Sequence, residues 1–364
     1  MSLRMEGEAA SRRMARREYE TARISDMMMR AAVTTRRQPM QLPSGEDGIV
    51  PMAETRVIES EGTACAIDYE PEYVALVRCA SEWHRILLAE SSSCSSAPTS
   101  TPPTFERAVH AVLELTEQLL MEHNAALYTC WLWRRDAFRA WLANTAGTMD
   151  TEMGDTSSAS TLMEQNVKDW CAMELIAVAK IAQSNQKNYQ MCHHRQEMIS
   201  MTLRTLKADV SAAETGRTSA YALDVFTAEA AFATYMLDLD AKNYHIWQHR
   251  LWLVTDFLGT FFAAAGDDRI IELEAELEFT RDKLIEDGQN NSAFMYRSVI
   301  AHSLRRAGHT TFVDEREANL FERILGTTRR EQQRRLARNV AARRYFRASM
   351  RDTHPDAGAH YVLR

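Results

Sequence analysis

No stretch of the 364 residues strings together the roughly 18–20 apolar side chains that a bilayer-spanning helix needs, so the sequence offers no membrane span. The six cysteines (Cys65, Cys79, Cys94, Cys130, Cys171, Cys192) include no C-x-x-C pair and have no histidine at metal-ligand spacing. That argues against a disulfide framework and a zinc site alike, and it fits a reducing compartment, the cytoplasm. An excess of positive charge is missing as well. With 43 Lys and Arg against 50 Asp and Glu the net charge is −7, and the whole chain has no electrostatic case for nucleic acid, although positive charge gathers at both ends. Strand-like alternation bounded by hairpin signals is also absent, which leaves an all-α chain. What is present is 45% hydrophobic residues, enough at this length for one or two cores without covalent or metal staples.

The first stretch, Met1 to about Gly62, mixes arginines and methionines with Glu6, Glu8, Glu18, Glu20 and Asp26. Its acidic residues speak against a mitochondrial presequence, and residues 1–63 read as a disordered tail ahead of a helical-repeat domain over 64–364. Near the other end Arg329, Arg330, Arg334, Arg335, Arg338, Arg343, Arg344 and Arg347 spread around several helical faces and read as a solvated helix rather than a binding patch. Between the ends, breaker-rich runs predict loops or insertions near 91–103, 145–160 and 208–219, and at 308–311. Phe105, Val109, Val112, Thr116 and Leu119 recur at spacings of 4, 3, 4 and 3, and Val225, Ala228, Phe232, Tyr235 and Leu239 at 3, 4, 3 and 4. Each set predicts one helix with one buried stripe.

A second helix follows each such helix and opens in a related way. The openings read Ala126-Leu-Tyr-Thr-Cys-Trp-Leu-Trp-Arg134, Lys187-Asn-Tyr-Gln-Met-Cys-His-His-Arg195 and Lys242-Asn-Tyr-His-Ile-Trp-Gln-His-Arg250, with a weaker copy over Asn290-Asn-Ser-Ala-Phe-Met-Tyr-Arg297. From arginine to arginine the steps are 61, 55 and 47 residues, longer than a bare helix pair, so insertions sit between pairs. Asn243 is placed to cap its helix, and Tyr244, Trp247, Leu251, Val254 and Leu258 run along one inward face. Arg250, three residues past Trp247, is placed to bond carbonyls or carboxylates of the neighbouring pair and so lock repeat to repeat. Bulky Trp and Arg at this spacing read as solenoid core.

Lys187, Lys242 and His245 are different, because they fall at helix starts. Second helices stacked side by side would align their N-terminal turns along one edge, each with unpaired N–H groups and partial positive charge. Cations added there make an anion site, most plausibly for a phosphate or diphosphate.

The repeated Lys-Asn-Tyr-x-x-(Trp)-x-His-Arg pattern, best over Gln186 to Trp252 and extending from Ile67 to His302, resembles the protein prenyltransferase α-subunit repeat. The resemblance implies a right-handed α-α superhelix, a crescent of helical hairpins wrapped around a β subunit, in a heterodimer of the farnesyltransferase or type-I geranylgeranyltransferase class. It implies transfer of an isoprenoid from prenyl diphosphate to the cysteine of a C-terminal C-a-a-X motif. It assigns Lys187 and His245 to the prenyl diphosphate, Tyr189 to a place beside the reacting centre, Gln190 to the carboxylate end of the peptide and Tyr128 to its last side chain. Lys242 and Tyr244, at the start of the third helix, complete the candidate substrate-binding set. Zinc is implied in the partner and not in this chain, with magnesium as an optional companion of the diphosphate. The sequence departs from the repeat at Cys192 and Phe294, where a tryptophan is usual, and at Leu127, where an asparagine is; Pro355 to Tyr361 hints at a fifth copy. The alternatives are a Rab-type geranylgeranyltransferase α subunit, which the Lys-Asn-Tyr-His and Gln-His-Arg residues disfavour, and a tetratricopeptide-type scaffold, whose period of about 34 residues the chain lacks.

Lacking clustered ligands, the purified chain without a partner should carry no stoichiometric zinc and transfer no prenyl group. One equivalent of metal by elemental analysis would refute this.

Overall fold

The computed structural model describes residues 70–93, 102–149, 156–208, 215–262 and 266–327, together with 339, 342, 344 and 345. The expected tail over 1–63, Ile67, the hint of a fifth copy at 355–361 and all the arginines singled out near the C-terminus except Arg344 lie outside these residues. Among the described residues the chain is all-α, with ten helices packed in pairs and no strand. None of these helices is long and apolar enough to cross a membrane. The chain divides into two compact units between Thr202 and Leu203.

In the unit that ends at Thr202, α1 (Pro71–Ser93) packs along α2 (Pro102–Gln118), and both pack on α3 (Tyr128–Met149). One π-helical turn, Leu119–His123, prolongs α2 and meets α4 (Thr156–Ser184), and α5 (Tyr189–Ala208) starts in this unit and runs past its end at Thr202. The stripe Phe105, Val109, Val112, Thr116 and Leu119 is buried throughout, as its spacing predicts. Phe138 and Trp170 stack at 4.5 Å and carry the contact between α3 and α4.

In the unit that starts at Leu203, α6 (Thr215–Leu239) packs on α7, which runs as Tyr244–Trp252, a π-helical turn over Leu253–Phe257, and Leu258–Phe261. Next, α8 (Gly266–Glu286) pairs with α9 (Asn291–Arg306), and α10 (Thr310–Thr327) lies against both. The single stripe expected for α6 is a correction. Val225 and Phe232 are buried, but Leu239 is exposed, and Phe226, Ala230, Ala233, Met236 and Leu237 are buried on further faces. A helix covered on more than one side has no single stripe to read.

The expected loops are shorter than the breaker runs suggested. Ser91 and Thr145 are helical, and each satisfies its hydroxyl by donating to the carbonyl four residues back, Leu87 at 2.7 Å and Trp141 at 2.8 Å. Pro102 and Pro103 open α2, where the first turn has no use for the missing N–H. The break at 308 is as expected: Gly308 has φ 95°, and its N–H bonds Arg305 O while the N–H of His309 bonds Leu304 O, closing α9 in a left-handed cap.

Cys192 is only 6% exposed, so its side chain is already enclosed and an indole in its place would need room that close packing does not leave. Cys192→Trp should therefore overpack α5 and lower stability by about 1–3 kcal/mol, read as a lower melting temperature. A rise of several degrees would show an unfilled cavity instead.

Candidate functional site

The arginine that ends each repeat opening is buried, and Arg134, Arg250 and Arg297 bond the same kinds of partner. Arg134 on α3 donates Nε and Nη2 to the two oxygens of Glu174 on α4, at 2.7 and 2.6 Å, and Nη1 to Leu113 O and Thr116 Oγ1 on α2, at 2.6 and 3.0 Å. Arg250 on α7 does the same to Glu276 on α8, at 2.7 and 2.9 Å, and to Ala230 O and Thr234 Oγ1 on α6, at 3.0 and 2.8 Å. Arg297 on α9 bonds Glu317 on α10 at 2.9 Å, and Leu277 O and Thr280 Oγ1 on α8. Arg195 repeats the carbonyl bond, to Leu175 O at 2.6 Å. Each arginine thus reaches back to the first helix of its own pair, and the bonds of Arg134, Arg250 and Arg297 also run forward to the next helix.

Glu174 and Glu276, and likewise Glu229 on α6, are held by a side chain of their own repeat. His194 Nε2 lies 2.8 Å from Glu174, His249 Nε2 lies 2.9 Å from Glu229, and the hydroxyl of Tyr296 donates to Glu276 at 2.7 Å; each partner stands 20 residues after its glutamate. Burial pushes the Glu174 carboxyl up, but the Arg134 charge and the bonds from His194 and Arg134 outweigh it and hold it well below the usual carboxylate range. Burial and the Glu276 charge raise Tyr296 well above the ordinary phenol value, so it stays a proton donor. Burial lowers His194 despite Glu174, and its Nδ1 has no hydrogen-bond partner. A neutral ring with its proton on Nε2, facing the ionised carboxylate, satisfies these observations.

A second set of bonds fixes the turns before α3, α5, α7 and α9. The Ala125 carbonyl accepts from the indole of Trp131 at 2.9 Å and from the Asn188 amide of the next turn. The Ala241 carbonyl accepts from Trp247 at 3.0 Å and from the Asn290 amide at 2.6 Å. The same asparagines cap their own helices, with Asn188 Oδ1 accepting from Gln190 N and Asn290 Oδ1 from Ala293 N, as Asn243 does for His245 and Ile246. Within each unit the starts of consecutive second helices are therefore bonded side by side.

The first residues of α3, α5 and α7, Tyr128, Tyr189 and Tyr244, are 54%, 60% and 61% exposed, so Tyr244 does not join the inward face expected of it. Trp247, Val254 and Leu258 do. Lys187 is exposed just ahead of α5, whereas Gln190 is buried with its side-chain oxygen lacking a hydrogen-bond partner. The Arg135 guanidinium lies 6.0 Å from the Tyr128 ring. Tyr128, Lys187, Tyr189 and Gln190 belong to the unit ending at Thr202; Lys242, Tyr244 and His245 share one turn of the other. His245 is half-buried with its ring edge-on to Tyr244 at 5.6 Å, and Lys242 pairs with Asp287 at 2.9 Å. The described residues include no group of three His, Cys, Asp or Glu side chains able to hold a metal ion.

A family model, the protein prenyltransferase alpha subunit repeat, matches residues 226–257. The match supports the prenyltransferase alpha-subunit family. No curated protein was found to match the chain. The matched stretch takes in Glu229 and its partner His249, the turn from Lys242 to His245, and Arg250 with its partners on α6. Sequence reasoning missed the glutamates, the threonines and Asn290. The constant interval of 20 residues from each glutamate to its His or Tyr was the signal available.

Because His194 is lowered when folded, the unfolded chain takes up its proton first as the pH drops past the ordinary value of 6.5. The stability tied to neutral His194 is present above that pH and lost below it. Glu174, also lowered, adds a further loss below its ordinary value of 4.5. His194→Gln, which keeps a donor for Glu174 without a titrating ring, should flatten the fall in melting temperature between pH 7 and pH 5. An unchanged slope would place the titrating group elsewhere.

Proposed function

We propose that this chain is the α subunit of a heterodimeric protein prenyltransferase of the farnesyl or type-I geranylgeranyl class, working in the cytoplasm with a β subunit. The observation that carries the reading is the match over 226–257, which includes the turn bearing Lys242, Tyr244 and His245. In this reading a cysteine thiolate of a C-a-a-X protein attacks the first carbon of the isoprenoid, a carbon–sulfur bond forms, and the carbon–oxygen bond to diphosphate breaks. Charge grows on the departing bridging oxygen. Cations poised there stabilise the transition state more than the ground state, and Lys187 and His245 are the residues assigned to that task. Tyr189 flanks the reacting centre, Gln190 serves the peptide carboxylate and Tyr128 the last peptide side chain. Zinc is left to the partner, and no step is assigned to it in this chain.

Co-purification with a candidate β subunit, followed by transfer assays with farnesyl and geranylgeranyl diphosphate, tests the class. Lys187→Ala should still assemble and should slow single-turnover transfer about 10- to 100-fold, the loss of one charge-assisted hydrogen bond of about 1.5–3 kcal/mol. His245→Ala should slow it less, since a neutral imidazole donates one bond. An unchanged rate for Lys187→Ala in an intact heterodimer would remove this lysine from the site.

A further inference from the structure

The fourth repeat carries none of the candidate site residues, yet the end of its first helix and the turn that follows are bonded to the third repeat at three points. Lys283 Nζ, in the last turn of α8, lies 2.6 Å from Asp238 Oδ1 near the end of α6. Asp287 Oδ2 takes Lys242 Nζ at 2.9 Å, and the Asn290 amide donates to Ala241 O at 2.6 Å. The two turns are built alike, since Asp240 Oδ1 accepts from Lys242 N at 3.1 Å and Asp287 Oδ1 from Gln289 N at 2.9 Å. What is gripped is the segment 238–242, immediately ahead of the Asn243 cap that fixes the His245 and Ile246 amides at 3.1 and 3.3 Å.

Ala241 O is the hinge point of this arrangement. It accepts from Trp247 within the same repeat and from Asn290 in the next, so both of its acceptor directions are taken. Trp247 ties this carbonyl to the helix of its own repeat, whereas Asn290 ties it to α9, which is anchored by buried Arg297. The Lys242 ammonium is also accounted for: it faces a carboxylate of the bracing turn.

We propose that the turn Asp287–Asn290 is a brace that positions His245, with Asn290 and Asp287 as positioning residues and Lys242 as a tether to Asp287 rather than a ligand. The catalytic half of this proposal rests on the prenyltransferase reading; the mechanical half does not. Asn290→Ser keeps an acceptor for the α9 cap but is too short to reach Ala241, and Asp287→Asn keeps the turn acceptor but loses the charge pair.

Amide hydrogen exchange in the full-length chain reads the brace. In Asn290→Ser the His245 and Ile246 amides should exchange about tenfold faster, with α10 unchanged. In the heterodimer, both variants should lower kcat about tenfold while KM for prenyl diphosphate stays within about twofold, the pattern of a misplaced group rather than lost binding. Lys242→Ala should match Asp287→Asn, and the double variant should lose no more than either single one. Unchanged exchange in Asn290→Ser would overturn the brace whatever the chain's activity. Faster exchange with unchanged kcat would overturn the positioning of His245, and a Lys242→Ala loss well beyond that of Asp287→Asn would make Lys242 a ligand. A wild-type heterodimer that transfers no prenyl group would defeat the prenyltransferase reading, and the exchange result would still decide the brace.

Discussion

A guanidinium removed from water is costly unless its donors are met and its charge is balanced, and that constraint governs how the helix pairs meet. Arg134, Arg250 and Arg297 satisfy it with parts of three helices at once: a carbonyl and a threonine hydroxyl on one side, a carboxylate on the other. A small shift of any of these helices would strand a buried charge. The geometry between one pair and the next is therefore much more narrowly set than apolar packing alone would set it, since apolar contact is non-directional. The forked, two-point contact with Glu174 and Glu276 adds orientation to position.

The glutamates make the device continuous within each unit. Glu174 receives Arg134 from the preceding repeat and His194 from its own, and Glu276 receives Arg250 and Tyr296 in the same way. Replacing His by Tyr at 296 changes the ring but keeps one donor aimed at the carboxylate, so the requirement is for a donor at that point and not for a particular side chain. Glu317 marks where the described part of the pattern stops: one oxygen takes Arg297, and the other is buried with no partner among the described residues.

Within each unit the alignment of the second-helix starts is a by-product of this order. Once successive pairs are locked, the turns ahead of the second helices come close enough for an asparagine of one to donate to a carbonyl of the last. The first residue of each second helix then lies beyond the packed body, and this is why Tyr128, Tyr189 and Tyr244 are exposed while Trp131 and Trp247, three residues on, are buried.

The sequence by itself determined the all-α class, the repeat openings, the cap at Asn243 and the inward course of Trp247, Val254 and Leu258, because each depends on neighbours within one or two helical turns. It also marked Arg250 as a lock, since a charged residue next to a buried stripe must find a partner. It misjudged Ser91 and Thr145, whose hydroxyls are satisfied inside the helix, and α6, which is covered on more than one side. Only the tertiary structure decided which carboxylate each arginine takes, 40 residues away for Arg134 and 26 for Arg250, and that Asn290 holds a carbonyl 49 residues behind it. Those intervals vary with the length of the intervening helices and loops, so no fixed spacing reports them, and the partners become definite only when the pairs have packed.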